Sequence, residues 1–337
     1  MLPCVNGRYL VQRVTGIQRY AQEIVSRWEP VPIFKPALGG KGASGHLWEQ
    51  LRLPTLARGP LWSPSTTGPL AVRRQVVTIH DTAFLDHADC FSRSFAAWYQ
   101  WLVPRLARRV RRIITVSRFS KERIIAACRV PEEKIEVIAS GVGPQFQPQP
   151  ADKIAQSREQ LKLPGRYVLC VCSLEPRKNL RRLLQAWADM PARPADLHLV
   201  LAGAKGNVFH DLEMDAAPAN VHLAGYVGDD LLPALYAGAE FFAFPSLYEG
   251  FGLPVLEAMA CGTPVLCSST TSLPEVAGDA ALLVNPLQPE SIAAGLSQLA
   301  SDAALRASLR ERGLARVKQF SWDRAARQTW DVLASVN

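Results

Sequence analysis

The chain has 337 residues, of which 48% are hydrophobic and 20% are charged, and its formal net charge is +8. This length is too great for one typical core and supports two domains of about 150 residues each, and the composition excludes a disordered chain. Because no apolar run reaches the roughly 18 residues of a membrane-spanning helix and the first residues lack a signal-peptide pattern, we expect a cytoplasmic protein.

Short apolar runs alternate with amphipathic segments along the whole chain. In the first half, these runs predict strands at 2–5, 76–80, 112–116 and 135–138. In the second half, they predict strands at 167–172, 197–202, 221–223, 241–244, 265–267 and 281–284. Helices are predicted at 180–190, 231–237 and 322–336.

The alternation of strands and helices with short loops predicts an α/β fold with one doubly wound parallel sheet in each half. A stretch rich in proline and glutamine at 144–150 predicts a linker between the halves. We therefore predict a first domain over 1–148, a second over 149–321 and a final helix over 322–337. A ligand is expected in the cleft between the domains, at the carboxyl ends of the strands.

The positive charge is concentrated in the first 148 residues, whereas the rest of the chain is slightly acidic. An arginine-rich segment there follows a cluster of aromatic residues, a composition typical of a surface that binds anionic lipid headgroups. The residues concerned are Trp98, Trp101, Arg105, Arg108, Arg109, Arg111 and Arg112. A solvated helix face whose tryptophans belong to the core explains the pattern equally well, and no recognisable motif favours a nucleic-acid partner.

The seven cysteines show no metal-ligand spacing. Cys170 and Cys172 lie in one apolar run, where we expect their side chains to point to opposite faces of a strand. All seven are predicted to be reduced, mostly buried thiols.

The segment at 245–264 predicts a strand end, an acidic glycine loop and a sharply delimited helix. Pro254 suits the first helical position, and Gly262 followed by Pro264 is a typical helix stop. The free amides at the helix start, together with the helix dipole, favour an anion at the preceding loop.

Two glutamates lie near this helix start, Glu249 in the loop and Glu257 one turn into the helix. Carboxylates repel phosphate but accept hydrogen bonds from hydroxyls, so the pattern indicates a ligand with phosphate in the middle and polyols at both ends. A nucleotide sugar has this layout. On these residues alone, ordinary α/β connectivity with two solvated glutamates is the alternative.

Glu249 and Glu257, with seven residues between them, resemble the E-x7-E signature of retaining nucleotide-sugar glycosyltransferases of family 4. The run Val-Cys-Ser-Leu-Glu-Pro-Arg-Lys-Asn-Leu at 171–180 resembles a second element of that family, and further matches follow at 15–20, 80–81 and 116–120. The resemblance covers nearly the whole chain. It implies the GT-B fold, two Rossmann-like domains facing across a cleft, with the last helix packed back on the first domain.

The resemblance also implies roles for the matching residues. Arg177 and Lys178 hold the donor pyrophosphate and stabilise the negative charge that develops on the departing phosphate. Glu257 binds the ribose hydroxyls, and Glu249 binds the donor sugar. The other donor-binding residues that it implies are Gly203, Tyr226, Val227, Gly250, Phe251, Gly252 and Leu253.

Two residues of the first half are predicted to lie beside the donor or acceptor. Gly16 opens a strand-to-helix turn, where the lack of a Cβ lets the backbone approach a phosphate or the acceptor. His80 directly follows an apolar strand, from whose carboxyl end it can hydrogen-bond the transferred sugar. A simple turn glycine and a structural histidine are the alternatives.

Together, these features predict a metal-independent hexosyltransferase that needs no cofactor, and the resemblance implies that it retains the anomeric configuration of the donor. It moves mannose or rhamnose from a nucleotide diphosphate, such as GDP, to a glycan or lipid-linked glycan of surface polysaccharide at the inner face of a membrane. The segments at 5–9 and 46–50 resemble members that transfer these two sugars. The alternatives are a sugar epimerase or phosphorylase of the same fold, and a non-catalytic protein whose basic face binds membranes or nucleic acid.

Overall fold

The computed structural model describes residues 2–12, 15–37, 40, 42–173, 175–203 and 218–336. The chain divides into two compact units. The first unit combines Met1–Gly141 with Phe320–Asn337, and the second comprises Val142–Gln319. Residues 142–148 thus belong to the second unit.

The first unit is built on a six-stranded sheet in which all neighbouring strands are parallel. Its strands are β1 (Cys4–Asn6), β2 (Ile33–Phe34), β3 (Leu61–Ser63), β4 (Gln75–Thr78), β5 (Arg112–Thr115) and β6 (Ile135–Val137). The spatial order is β2-β1-β3-β4-β5-β6, so the winding direction reverses between β1 and β3. Ligands of such sheets bind outside the carboxyl ends of the strands at the reversal point.

Helices pack on this sheet through aliphatic side chains. They are α1 (Gly16–Val25), α2 (Gly42–Leu51), α3 (Leu53–Leu56), α4 (Ala83–Asp86), α5 (Arg93–Arg109) and α6 (Arg118–Cys128), with 3-10 turns at Gly7–Val11, Ala88–Cys90 and Glu132–Lys134. Val77 and Ile113 from the strands meet Leu106 of α5 and Ile124 of α6 in one buried cluster. This cluster fixes α5 and α6 against the sheet.

The second unit has its own six-stranded parallel sheet. Its strands are β7 (Arg166–Val171), β8 (Leu197–Ala202), β9 (Val221–Gly225), β10 (Phe241–Phe244), β11 (Val265–Ser268) and β12 (Ala281–Val284). The order β12-β11-β10-β7-β8-β9 is that of a dinucleotide-binding fold, with the reversal between β7 and β10. The loops that follow these two strands therefore lie side by side.

The helices of the second unit cover its sheet and set the loop geometry at the strand ends. They are α7 (Ala151–Gln160), α8 (Leu180–Ala188), α9 (Leu232–Ala237), α10 (Leu253–Ala260), α11 (Leu273–Ala277), α12 (Pro289–Ser301) and α13 (Ala303–Arg316), with 3-10 turns at Pro176–Lys178 and Val317–Gln319. Helix α8 turns Leu183, Leu184 and Trp187 into the core, where all three are fully buried.

The C-terminal helix α14 (Trp322–Ala334) packs on α1 within the first unit. The indole of Trp28 donates to the Ala326 carbonyl at 3.0 Å, and its ring lies 5.3 Å from that of Trp330. Arg27 Nε donates to Asp323 at 2.7 Å. Aromatic packing and two polar bonds thus attach the end of the chain to its beginning.

The predicted fold class, α/β with two doubly wound parallel sheets, is confirmed. Each predicted strand has a counterpart whose ends agree within two residues. Strands β2 and β3 were not predicted, because they have only two and three residues. Prolines flank β3 at positions 60 and 64, and such short runs give no readable period.

The predicted orientation of Cys170 and Cys172 is wrong. Their sulfur atoms lie 3.7 Å apart, because residues two apart on a strand share a face of the sheet. The seven cysteines are thiols, and six of them are buried.

Candidate active site

The reversal point of the second sheet joins two loops, because β7 and β10 are neighbours. The backbone amide of Leu247, after β10, donates to the Arg177 carbonyl, after β7, at 2.8 Å. Asn179 Nδ2 donates to the carbonyl of Pro245 at 2.9 Å. These bonds hold the two loops in register, so their side chains keep fixed relative positions. Leu174, part of the sequence element at 171–180, lies outside the described residues.

Three charged side chains meet between the two loops. Lys178 Nζ lies 2.6 Å from Glu249 Oε1, and Arg177 Nη1 lies 3.5 Å from Glu249 Oε2. The Glu249 side chain is 9% exposed, and a carboxylate at that depth requires partners of opposite charge. Lys178 also lies over the Phe244 ring, 5.2 Å from its centroid. The structure thus brings together three of the residues that the sequence singled out.

A second carboxylate, Glu175, orients Arg177. It accepts hydrogen bonds from Arg177 Nε and from Ser173 Oγ, both at 2.6 Å. Burial alone would raise the pKa of Glu175, but the charges of Arg177 and Lys178 and the bond from Ser173 outweigh it and lower this pKa. Glu175 is not among the site residues predicted from the sequence, although it lies two residues before Arg177 in the same motif.

Backbone conformation and one serine hydroxyl shape the glycine loop before α10. Gly252 has φ 106°, and a Cβ built there would lie 2.5 Å from Leu273 Cδ2. The buried Ser272 hydroxyl lies 2.9 Å from the carbonyls of both Glu249 and Phe251. Because N–H and C=O point in opposite directions across a trans peptide, the amides that follow these two carbonyls point away from Ser272. Ser272 is not among the site residues predicted from the sequence.

Helix α10 begins one residue earlier than expected. Leu253 is its first residue, so Pro254 takes the second helical position, where its missing N–H also goes unused. The helix ends at Ala260, and Gly262 follows with φ 75°, the left-handed conformation expected at this stop. The predicted delimited helix is therefore present.

Glu257 projects from α10 and is 8% exposed. Its Oε2 accepts a hydrogen bond from the hydroxyl of Tyr236, on α9, at 3.2 Å. The predicted carboxylates thus differ in their partners, since cations pair with Glu249 and a phenol bonds to Glu257. Nothing in the sequence near Glu257 marked Tyr236, because 21 positions separate the two residues.

The ends of β8 and β9 carry the residues predicted to lie near the nucleotide. Gly203 has φ 92°, its amide donates to the Gly225 carbonyl at 2.6 Å, and a Cβ there would lie 2.7 Å from the Cys172 carbonyl oxygen. Tyr226 is 57% exposed, whereas Val227 is buried. These positions follow β8, which pairs with β7, and β9, which pairs with β8 at the edge of the sheet.

His80 and Gly16 belong to the first unit. His80 follows β4 by two residues, and its Nε2 lies 2.8 Å from the Pro64 carbonyl, to which it donates. Burial lowers the pKa of His80, so the ring is neutral at pH 7. Gly16 is the exposed first residue of α1, directly after Thr15, whose amide donates to Gln18 at 3.1 Å.

The predicted basic and aromatic residues lie on α5, in the short connection after it and at the start of β5. Trp101 is 43% exposed and stacks on the half-buried Trp98 with ring centroids 5.3 Å apart. Arg105 lies over the Trp101 ring at 4.7 Å. Arg108 Nε donates to the Cys128 carbonyl at 2.8 Å and thus also serves the fold. The concave surface at the end of α5, about 830 Å³, is lined by Leu70, Arg73, Arg105, Arg108, Arg109, Val110, Arg111 and Lys134.

Arg73 and Lys134 are additions to the predicted basic set. They precede β4 and β6, as Arg111 precedes β5, and the amino ends of parallel strands share one edge of a sheet. Burial lowers the pKa of Lys134. These cationic residues are far apart in the sequence, so their common position at one edge of the sheet follows only from the strand order.

The described ranges contain no group of three or more His, Cys, Asp or Glu side chains placed to hold a metal ion. Within the same ranges, every helix is too short or too polar to cross a membrane.

Two family models match the chain. The model described as glycosyl transferases group 1 matches residues 152–316, and that described as glycosyltransferase family 4 matches residues 14–146. The two matches fall on successive parts of the chain and together cover most of it.

Several relatives of the chain are named mannosyltransferases, and others are named D-inositol 3-phosphate glycosyltransferases. The O-antigen chain mannosyltransferase B of Escherichia coli is 37% identical over 268 residues, which are 77% of this chain and 70% of that protein. The serotype-specific mannosyltransferase WbdA of Escherichia coli is 31% identical over 230 residues, or 64% of this chain. The match covers 27% of WbdA, so the chain spans about a quarter of that relative.

Solved structures share the fold. Sucrose-phosphate synthase from Thermosynechococcus elongatus has a TM-score of 0.77 at 18% identity, with 99% of both chains covered. WaaG, a glycosyltransferase involved in lipopolysaccharide biosynthesis, has a TM-score of 0.76 at 16% identity, again with 99% of both chains covered. At these identities, the likeness shows the GT-B fold alone. Given the family models and the relative at 37% identity, the chain belongs to glycosyltransferase family 4, as its sequence predicts, and is a glycosyltransferase.

Proposed function

We propose that the protein is a retaining mannosyltransferase that moves mannose from GDP-mannose to a glycan or lipid-linked glycan during polysaccharide biosynthesis. The observation that carries this proposal is the buried cluster of Lys178, Arg177 and Glu249 at the winding reversal of the second sheet. The names of the mannosyltransferase relatives support the choice of mannose, and the O-antigen relative supports the polysaccharide setting.

The two cations are proposed to bind the donor diphosphate. When the bond between the anomeric carbon and the diphosphate breaks, new negative charge develops on the β-phosphate, and fixed positive groups there stabilise the transition state. Arg177 and Lys178 supply this charge in the proposal, in place of a metal ion. Their bonds to Glu175 and Glu249 hold both groups in position before the donor binds.

The backbone at 250–253 is proposed to complete the phosphate site. The dipole of α10 favours an anion at its first turn, and Ser272 sets the orientation of the loop peptides. Gly252 admits no side chain without a clash with Leu273. A bound diphosphate would therefore meet backbone rather than side chains at this point.

The remaining donor contacts follow from the chemistry of the side chains. Glu257 is proposed to accept hydrogen bonds from the ribose hydroxyls, and Glu249 from a hydroxyl of the transferred sugar. Gly203, Tyr226 and Val227 are proposed to lie against the nucleoside. Gly16 and His80 are proposed to serve the sugar or the acceptor from the first unit, His80 as a neutral ring.

Retention of configuration is proposed to arise from attack on the same face of the sugar. The bond from the anomeric carbon to the phosphate oxygen breaks, and the acceptor oxygen forms the new bond. The acceptor proton passes to an oxygen of the departing phosphate. Glu249 acts on sugar position in this scheme and forms no covalent intermediate.

Donor binding and product analysis test the proposal. In a thermal-shift panel of GDP, UDP, dTDP and ADP sugars, GDP-mannose is expected to raise the unfolding temperature most, since a ligand stabilises the state that binds it. The one-bond coupling between the anomeric carbon and its proton, measured by NMR on the mannosylated product, is expected to show the same anomeric configuration as in the donor. A larger rise with another sugar nucleotide would contradict GDP-mannose as the donor. A product with the inverted anomeric configuration would contradict retention.

We further propose that α5 docks the first unit on anionic lipid. Exposed Trp101 and Arg105 lie together on this helix, next to a concave surface with six cationic side chains and no acidic one among its lining residues. Each arginine near an anionic bilayer contributes about 1 kcal/mol. Binding to phosphatidylglycerol vesicles is expected to fall about fivefold for Arg105→Ala and to stay unchanged for Arg327→Ala, an exposed arginine on α14. Equal binding by Arg105→Ala and wild type would contradict this docking.

A further inference from the structure

Tyr236 is a buried side chain that the proposed function leaves without a role. It is 0% exposed, and its hydroxyl lies 3.2 Å from Glu257 Oε2. Its ring packs edge-on against Phe242 and Phe146, with centroids 5.3 Å and 6.1 Å away. Its carbonyl accepts a hydrogen bond from Thr263 Oγ1 at 2.7 Å. Packing and backbone bonding therefore give the hydroxyl one fixed place.

The hydroxyl acts as the donor in its bond to Glu257. Burial first, and then the negative charge of Glu257, raise the pKa of Tyr236 well above its ordinary value. The phenol keeps its proton throughout the neutral range, and an ionised carboxylate can only accept. The charge on the acceptor strengthens a hydrogen bond of this kind.

This bond restricts how Glu257 presents its carboxylate. The terminal torsion of a glutamate is broad, so the carboxylate plane rotates unless another group holds it. Tyr236 holds Oε2 from the buried side of α10. A carboxylate that recognises two neighbouring hydroxyls must keep its plane toward both of them, since each hydrogen bond is directional.

We infer that Tyr236 is a positioning residue for Glu257, and that the pair recognises the ribose diol of the donor nucleotide. This inference rests on the proposed function, which assigns Glu257 to the ribose. Tyr236 touches no donor atom and acts through the carboxylate. Removing its hydroxyl should therefore weaken ligands that carry the diol and leave other ligands unaffected.

Tyr236→Phe removes the hydroxyl alone, and Tyr167→Phe is the matched control. Tyr167 is 1% exposed, and its hydroxyl donates at 2.8 Å to the carbonyl of Leu235, on the same helix α9. Calorimetric titrations with GDP and with 2′,3′-dideoxy-GDP are run on wild type, both variants and Glu257→Ala. Wild type and Tyr167→Phe are expected to prefer GDP by about tenfold, the range of one hydrogen bond to a charged group. Tyr236→Phe should lose most of this preference through weaker binding of GDP.

A Tyr236→Phe variant that keeps the wild-type preference would overturn the inference. Equal weakening of both ligands would also overturn it, because a purely structural role predicts that result. The preference is a ratio of two affinities measured on one sample, so only the folded protein contributes to it and partial unfolding does not change it. Tyr236→Leu is a second variant that lacks the hydroxyl. A wild type with no preference, or a Glu257→Ala variant that retains it, would instead refute the assignment of Glu257 in the proposed function and the inference with it.

Discussion

Each unit holds a buried carboxylate beside the winding reversal of its sheet, but the two carboxylates join different elements. Glu49, on α2, is 1% exposed and accepts hydrogen bonds from Asn6, at the end of β1, at 2.6 Å and from Arg8 at 3.0 Å. Glu249 accepts from Lys178, and both lie on loops. Glu49 thus fastens a helix to a strand, whereas Glu249 and Lys178 hold charges between two loops.

Burial and charge pairing alone therefore do not distinguish a structural pair from a binding site. Thr67 also donates to Glu49, at 3.2 Å, and together with Asn6, Arg8 and His46 it surrounds this carboxylate. Such a network stabilises the elements that it connects. The cations around Glu249 instead lie on the segment that the family resemblance assigns to phosphate. Substitutions should separate the two cases.

The largest expected effect is on stability, from Glu49→Ala. This substitution leaves Arg8 buried without its carboxylate, and breaking a buried pair in this way is expected to lower the free energy of unfolding by about 3–5 kcal/mol. Urea unfolding measures it. Glu136→Ala, an exposed glutamate on β6, is the control and should stay within about 0.5 kcal/mol of wild type. Equal unfolding curves for the two variants would remove the structural role of Glu49.

The pH dependence of the Glu49 contribution sharpens this test. Burial by itself would raise the pKa of Glu49, but bonds from His46 and Asn6 and the charge of Arg8 outweigh it and lower this pKa below its ordinary 4.5. A lowered folded-state pKa stabilises the protein above the unfolded-state value, and the contribution disappears as pH falls through the folded-state pKa. The stability gap between wild type and Glu49→Gln should therefore be widest near neutral pH and narrow below pH 4.5. A gap that widens in acid would contradict this sign.

The second effect is on transfer, from Lys178→Ala or Glu249→Ala. Loss of a fixed group that stabilises developing charge is expected to reduce kcat/KM for mannosyl transfer by about 100- to 1000-fold. Both variants should remain folded in the near-ultraviolet circular dichroism spectrum. Lys153→Ala, an exposed lysine on α7, serves as the control and should transfer normally. Transfer at the wild-type rate by Lys178→Ala or Glu249→Ala would exclude that residue from the site.

A smaller effect is expected from Gly252→Ala in the loop of the second unit. A Cβ at this φ of 106° is strained and meets Leu273 at 2.5 Å, so the loss in unfolding free energy should be about 1–3 kcal/mol. Gly165→Ala is the control, because a Cβ there meets nothing within 4 Å. Equal stability of the two variants would show that the loop adapts to a side chain.

The smallest effect is expected from Arg27→Ala, which removes the ion pairs that Arg27, two residues after α1, makes with Glu23 on α1 and Asp323 on α14. The side chains of Arg27 and Asp323 are 26% and 77% exposed, and exposed pairs contribute about 0.2–1 kcal/mol. Urea unfolding at low and high salt measures the loss in unfolding free energy, and added salt should reduce this loss relative to wild type. A loss as large as that of Glu49→Ala would contradict the contrast between buried and exposed pairs.

The sequence predicted the fold because parallel strands buried on both faces leave continuous apolar runs, as at 197–202 and 241–244. It did not predict β2 or β3, because two or three residues between loops carry no period. The side-chain orientation of Cys170 and Cys172 was wrong because strand alternation has a period of two, which puts positions 170 and 172 on one face.

Within the site, motifs found the residues that lie on loops and missed those that hold them. Lys178 and Glu249 stand in recognisable runs, yet their contact spans 71 positions and follows from the strand order. Tyr236 and Ser272 lie more than 20 positions from the groups that they bond. Neither residue stands in a recognisable motif, so its role follows only from the contacts of its hydroxyl in the folded protein.

A crystal structure with intact GDP-mannose tests the donor site most directly. The proposed function predicts the diphosphate oxygens within hydrogen-bond distance of Lys178 Nζ and the Arg177 guanidinium, at the first turn of α10. A diphosphate bound elsewhere, with Lys178 still paired to Glu249 and remote from any phosphate, would contradict it.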